Sequence, residues 1–313
     1  MGRTARRGRP RNAMSFSEIW LFLQQGLLSG LVTGSVYALL AIAIVAIFKT
    51  TDVPNFAQGE IFMIAGYVAL SLLLIAGWSY ALVIPVTVVA VAVGAALFQR
   101  VVMERVTHSK GVGPQLVIAT LGLAYALKGL VRQTGLGDTP RSLPSLVSND
   151  PVIIGDAFLT RLDVAIFFTS IAAMVLIYLM FSHTRIGKAM RAVGMNPRAA
   201  QIVGIRLSRI RMLVWAMAGV ISAVAALLIT PKILITPDIA HIAILAYAAA
   251  IVGGFTSLPG AVLGGLIIGI VENLVGLFIS TNAIVVAPFL AILVTLIVRP
   301  QGILGGKPQV KKV

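Results

Sequence analysis

Few side chains in this sequence are able to do chemistry. Ten carboxylates, three histidines and no cysteine are spread over 313 residues, which excludes disulfides, thiolate metal sites and cysteine nucleophiles. His108, His183 and His241 each stand alone, and the sequence contains no G-x-x-x-x-G-K-[ST], H-E-x-x-H or G-x-S-x-G pattern. No catalytic residue, metal site or bound cofactor is expected, so an energy-consuming activity would have to draw on another chain. What the sequence offers instead is polar and glycine-rich breaks between apolar runs. Asp52-Val-Pro54 favours a helix break, and Asn55-Phe-Ala-Gln58-Gly-Glu60 follows it directly. Polar groups at membrane depth are costly unless they face protein, water or a solute path. Asn55, Gln58 and Glu60 therefore either hold a broken helix or touch a translocation path.

Two further features carry the same choice. The run from Gly253-Gly254 through Pro259-Gly260 to Gly264, Gly265 and Gly269 has small residues four apart, spacing that lets helices approach closely in lipid. A discontinuous helix with free backbone groups, acting as a gate, is the other reading. Asp238, after Pro237, and Glu272, inside an apolar run, have no evident partner in sequence and can cap a helix or line a path.

The segment from Thr184 to Ile205 is of another kind. It reads as two short helices, 184 to 193 and 197 to 203, because Asn196 can cap a helix that has Pro197 at its first position and Gly204 can end it. Small residues at Ala199, Ala200 and Gly204 suggest a compact helical knob shaped for a groove in a partner. Ala200 and Gly204, four apart, are expected on one face.

The elements that position these groups follow from composition. Apolar residues make up 58% of the chain and charged ones 11%, against about 25% charged in soluble domains, and mean hydropathy is +0.99. Soluble and disordered classes are both excluded. Nine apolar runs approach the roughly 20 residues a span needs: 19 to 48, 61 to 77, 80 to 99, 114 to 134, 163 to 182, 212 to 230, 239 to 256, 259 to 280 and 283 to 298. The expected fold is an all-α polytopic membrane protein with about 8 to 10 transmembrane helices. Its parts are a basic arm at 1–18, one transmembrane domain at 19–300 and a cytoplasmic tail at 301–313.

The net charge of +15 would suggest nucleic acid in a soluble protein. Here 19 of the 25 Lys and Arg fall in residues 3–11, 100–110, 185–211 and 299–312, the clustering expected of cytoplasmic loops. Residues 183–211 carry seven basic and no acidic residues, and 135–162 carry two basic and three acidic. The first segment is expected inside and the second outside. Counting back five spans puts the N-terminus outside, against five arginines in the first 13 residues. Either Met14 is the native start, or residues 19–60 hold an extra crossing or re-entrant piece.

A family resemblance now becomes visible. Arg198-Ala-Ala-Gln-Ile-Val-Gly204 resembles the E-A-A-x-x-x-G segment by which permeases of ABC importers dock on their ATPase subunits, with Arg198 where the glutamate usually stands. Thr184-x-x-Gly187-x-x-x-Arg191-Ala192, Asn55 to Glu60 and Gly253 to Gly265 are together similar to the Liv family of branched-chain amino acid permeases, across residues 20 to 300. The resemblance implies a multi-pass subunit of the bacterial cytoplasmic membrane that is not itself an enzyme. Its implied partners are two ABC ATPase subunits that bind the ATP, a homologous second permease subunit and an extracytoplasmic substrate-binding protein, with lipid around it and no nucleic acid. Thr184, Gly187, Arg191, Ala192, Ala199, Ala200 and Gly204 would couple to the ATPase, and transport would proceed by alternating access. Urea or amides are the alternative solutes, and a secondary transporter is the alternative class.

Overall fold

The computed structural model describes residues 16–108 and 112–306. Each of the nine apolar runs is a helix: α1 (Phe16–Thr51), α2 (Gln58–Leu74), α3 (Tyr80–Phe98), α5 (Val112–Gln133), α6 (Arg161–His183), α9 (Leu207–Ile229), α10 (Ile242–Gly253), α11 (Leu258–Phe278) and α12 (Ala287–Val298). Three short helices lie between them: α4 (Glu104–His108), α7 (Arg185–Met195) and α8 (Pro197–Ile202). Among the described residues six helices are long and apolar enough to cross a membrane, while α2, α12 and the stretch Ile239–Gly253 are shorter.

The bundle is built around α1. A helix that is apolar on every side has to be enclosed, and Val36 to Ile47 are all nearly inaccessible. α11, α9, α10 and α6 surround it. The outer helices do the reverse. α3, α6 and α12 expose Leu82, Val89, Phe168, Leu176, Phe289 and Ile297, the surface expected against lipid or another subunit.

The α1–α11 contact depends on glycine. A Cβ at Gly265 would lie 2.4 Å from Ala38 Cα, and one at Gly269 would lie 2.3 Å from Gly34 Cα. Gly260 and Gly264 face α10 instead. Both pairs of four-spaced glycines therefore serve packing.

Two ends of the bundle can be told apart. At one end the antiparallel strands β1 (Pro151–Ile154) and β2 (Ala157–Thr160) form a hairpin, the one strand pair among the described residues. Gly155-Asp156 makes its two-residue turn, with Gly155 at φ +66°, as such turns require. The Gln25 side chain on α1 both donates to Phe158 O and accepts from Phe158 N, each at 2.9 Å. Arg141 pairs with Ile235 at the same end. At the other end Gly194 of α7 sits on the Lys49 carbonyl of α1. α1 thus crosses once, from the hairpin end to the basic-loop end, and the extra crossing considered for residues 19–60 is absent. Residues 1–13 and Met14 lie outside the described residues.

The tail is not a loose extension where it is described. Ile303 N and Leu304 N donate to Val252 O and Gly253 O at 2.8 and 3.0 Å, which ties residues 301–306 to the end of α10.

Candidate functional site

The break between α1 and α2 is held by a buried polar network. Asn55 and Gln58 are both inaccessible. Asn55 Nδ2 donates to Gln58 Oε1 at 3.0 Å, and Asn55 Oδ1 accepts from Ala57 N at 3.1 Å. Gln58 Nε2 then donates to Ser222 Oγ at 2.5 Å, and the Tyr247 hydroxyl donates to Asn55 O at 2.5 Å. Phe56 N donates to Thr120 Oγ1 at 3.3 Å. Three other helices, α9, α10 and α5, thereby satisfy backbone and side-chain groups that the break would otherwise leave bare in a low-dielectric interior.

Ser222 lies about two-thirds of the way along α9, so α2 begins inside the bundle rather than at its surface. α10 does the same. The chain leaves the hairpin end at Thr230, turns inward, and at Ala240 meets Gly59, whose Cβ would lie 2.3 Å from the Ala240 carbonyl oxygen. With 12 residues, α10 is only about 18 Å long, too short for a bilayer core of about 30 Å. Two helix N-termini, each the positive end of a dipole, therefore meet at depth.

They meet at the wall of a cavity of about 700 Å³ lined by Phe56, Glu60, Lys128, Asp238, His241 and Tyr247, with Phe255, Phe289 and Ile292 among the apolar remainder. Lys128 Nζ is 2.6 Å from Asp238 Oδ1, and Arg132 Nη2 is 3.8 Å from the same oxygen. The hydrogen bond from Lys128 holds the exposed Asp238 carboxyl below the usual carboxylate range, and the charges of Lys128 and Arg132 add to it. Phe56 stacks on Tyr247 with centroids 5.6 Å apart, and Tyr247 stacks on Phe255 at 6.3 Å. Charges of both signs thus lie beside a continuous aromatic wall.

The structure divides the sequence candidates. Asn55 and Gln58 brace the break, whereas Glu60 and Asp238 line the cavity. Gly253, Gly254, Pro259 and Gly260 form no gate facing it: a Cβ at Gly253 would lie 1.9 Å from Gly260 O, and Gly254 has φ +111°. Both glycines make the tight α10–α11 turn, where Pro259 occupies the first turn of α11. Glu272, on α11, does not line the cavity either and sits beside Tyr37 of α1. Lys128 and Tyr247 were not singled out in sequence. Lys128 and Arg132, the two charged residues of the apolar run 114–134, were the available signal for the first.

The basic loop has the two helices expected. Thr184 caps α7 by accepting from Gly187 N at 3.0 Å, and Asn196 caps α8 by accepting from Ala199 N at 3.0 Å. Arg191 donates to the Phe181 and Ser182 carbonyls at 2.6 and 3.3 Å, closing the end of α6. Gly187 admits α7 against that same end, and Ala192 is half-buried. These residues brace the loop internally.

The shared face expected for Ala200 and Gly204 is absent. Ala200 points inward and is buried, while Gly204 lies past the end of α8 with φ +86° and open space where a Cβ would be. Six residues make too short a helix to carry a face through position 204, and the left-handed conformation turns the chain away. The exposed tip consists of Ala199 with Met195, Ile202 and Val203, the last two 86% and 75% exposed. Apolar side chains so bare on a basic loop mark a contact surface. Of these, Ala199 was named from the sequence, whereas Met195, Ile202 and Val203 were not.

The family model for the permease component of the branched-chain amino acid transport system matches residues 26–298. The chain is 32% identical to the high-affinity branched-chain amino acid transport permease LivH of Escherichia coli K12, over 95% of this chain and all of that one. It is 30% identical to BraD of Pseudomonas aeruginosa, described in the same words, over 95% and 99% of the two chains. A solved inward-facing ABC transporter, described as of the metal-chelate type, aligns with a TM-score of 0.46 at 15% identity, over 93% of this chain and 89% of its own.

Proposed function

The chain belongs to the branched-chain amino acid transport permease family, and from that premise we propose that it is the membrane-spanning subunit of an ATP-driven importer for apolar amino acids. The observation that carries this reading is the cavity between α2, α5, α10 and α12. A free amino acid is a zwitterion with a side chain attached. Lys128 and the N-termini of α2 and α10 suit its carboxylate, Glu60 suits its ammonium, and the Phe56–Tyr247–Phe255 wall suits a branched apolar side chain.

Energy enters at the other end of the bundle. The α7–α8 loop is braced on α6 and α1 and offers Met195, Ile202 and Val203 to an ATPase subunit. Two such ATPases, a second homologous permease subunit that completes the path and an external binding protein that delivers solute make up the assembly. ATP has to bind one arrangement of the ATPase pair more tightly than the other, because only that difference can move the permease between inward- and outward-open states.

The test is uptake of labelled leucine by vesicles containing the co-expressed system. Val203→Glu is expected to leave the permease folded but to abolish ATPase co-purification and uptake, since burying an unpaired charge at an interface costs several kcal/mol. Uptake that persists after ATP depletion would overturn the ATP-driven reading.

A further inference from the structure

Away from the transport cavity, a second cleft runs between α1, α6 and α11. One part, of about 540 Å³, is walled by apolar side chains including Ile42, Ile171, Met174 and Val262. The adjoining part, of about 320 Å³, contains Lys49, Thr50, Ser182, Arg191 and Ser257. Tyr178, Leu258 and Pro259 line both, so the two parts are continuous. The polar part lies at the basic-loop end, where α7 meets α1.

Charge in this cleft is of one sign. Among the described residues no carboxylate lines either part, and Lys49 makes no ion pair. Arg191 lies near enough to repel it. Arg191 uses some of its N–H groups on the Phe181 and Ser182 carbonyls, but a guanidinium carries five. The N-terminus of α11, with Ser257 as its cap, opens into the same space and adds the positive end of a 21-residue helix dipole. Three sources of positive potential converge beside a greasy slot, with Tyr178 at the boundary as interfacial aromatics are.

We propose that this cleft binds an acidic phospholipid of the leaflet at the basic-loop end, its phosphate between Lys49, Arg191 and the α11 N-terminus and an acyl chain in the apolar slot. A free phosphate would leave the slot unexplained. A zwitterionic lipid would bring an ammonium group toward two cations. The bound lipid would tie α7 to α1 and α11, and so stiffen the loop that carries the docking tip. The proposal rests on this chain's own geometry and needs no partner subunit for its test.

The full chain is purified in nanodiscs of phosphatidylcholine with or without phosphatidylglycerol, and retained lipid is counted by native mass spectrometry alongside thermal melting. Wild type is expected to retain phosphatidylglycerol over phosphatidylcholine and to melt higher with it. Lys49→Gln should weaken retention roughly tenfold, as loss of one charge-assisted contact does. Val262→Trp, which fills the slot and leaves the charges in place, should also lose the lipid. If one variant fails to fold, the other decides. Equal retention of the two lipids by wild type, or full retention of phosphatidylglycerol by a folded variant, would overturn the proposal. So would displacement of the lipid by inorganic phosphate, which would make the polar part a free-anion site.

Discussion

The chain breaks between helices at Asp52–Ala57 and at Gly254–Ser257, and satisfies the exposed backbone in opposite ways. At the first break side chains do it: Asn55, Gln58, Ser222, Tyr247 and Thr120 form a network drawn from four helices and the break itself. At the second, backbone does most of it: Gly253 and Gly260 touch without intervening side chains, Ile303 and Leu304 donate to the last carbonyls of α10, and the one side-chain cap is Ser257, which accepts from Gly260 N. Only the first faces the transport cavity, because its helix turn also carries Glu60 there. A break held by side chains can carry a carboxylate to the transport cavity, whereas one held by glycine contacts offers only its capped helix N-terminus, and offers it to the other cleft.

The sharpest way to test this contrast is to put a side chain where only glycine fits. Gly253→Val would place carbon 1.9 Å from Gly260 O, so the α10–α11 turn has to open. The expected cost is several kcal/mol, read as loss of folded protein in size-exclusion chromatography. A Gly253→Val protein that folds and transports would show that the glycine contact is incidental.

Next comes the polar break. Gln58→Leu removes the donor to Ser222 and the acceptor for Asn55, leaving two buried polar groups unpaired at a cost of about 1–3 kcal/mol. Adding Ser222→Ala should recover part of that loss in thermal melting, because one orphan is then removed. No recovery would mean the network is not acting as a unit. Glu60→Gln and Lys128→Gln, at the cavity wall, should change stability by less than about 0.5 kcal/mol yet lower leucine uptake roughly tenfold. If uptake instead fell only in proportion to folded protein, the cavity would be structural.

This division could be read only partly from sequence. The nine apolar helices were legible because apolar runs stand out against a bilayer's length requirement, although among the described residues only six reach spanning length, and the α7 and α8 caps were legible because Thr184, Asn196 and Pro197 act locally. The hairpin was there to be read in Ile154-Gly155-Asp156-Ala157. What could not be read is which side of a turn each polar group faces. Gln58 and Glu60 are two residues apart, about 200° around a helix, and only the position of α9 and α5 decides that one is buried and the other meets the cavity. For the same reason Ala200 and Val203, neighbours on a six-residue helix and its end, could not be sorted into inside and tip. Asp238 looked partnerless because Lys128 is 110 residues away.

That long-range pair gives the smallest expected effect. Asp238 is exposed, and its folded carboxyl is held below the ordinary value by the hydrogen bond from Lys128. A carboxylate with a depressed folded value contributes stability that is fully present above its unfolded value, near 3.9, and is lost as pH falls through the folded one. The melting difference between wild type and Asp238→Asn is therefore expected to be flat from neutral pH to about pH 5 and to close below about pH 4. Its size should be roughly 1 °C, because solvent screens an exposed pair. Lys128→Met removes the hydrogen-bonding cation, so in that background Asp238→Asn should change little at any pH. A difference that instead grew on acidification would mean Asp238 is stabilised in its protonated form, and the charged rim of the cavity would then be set by some group other than Lys128.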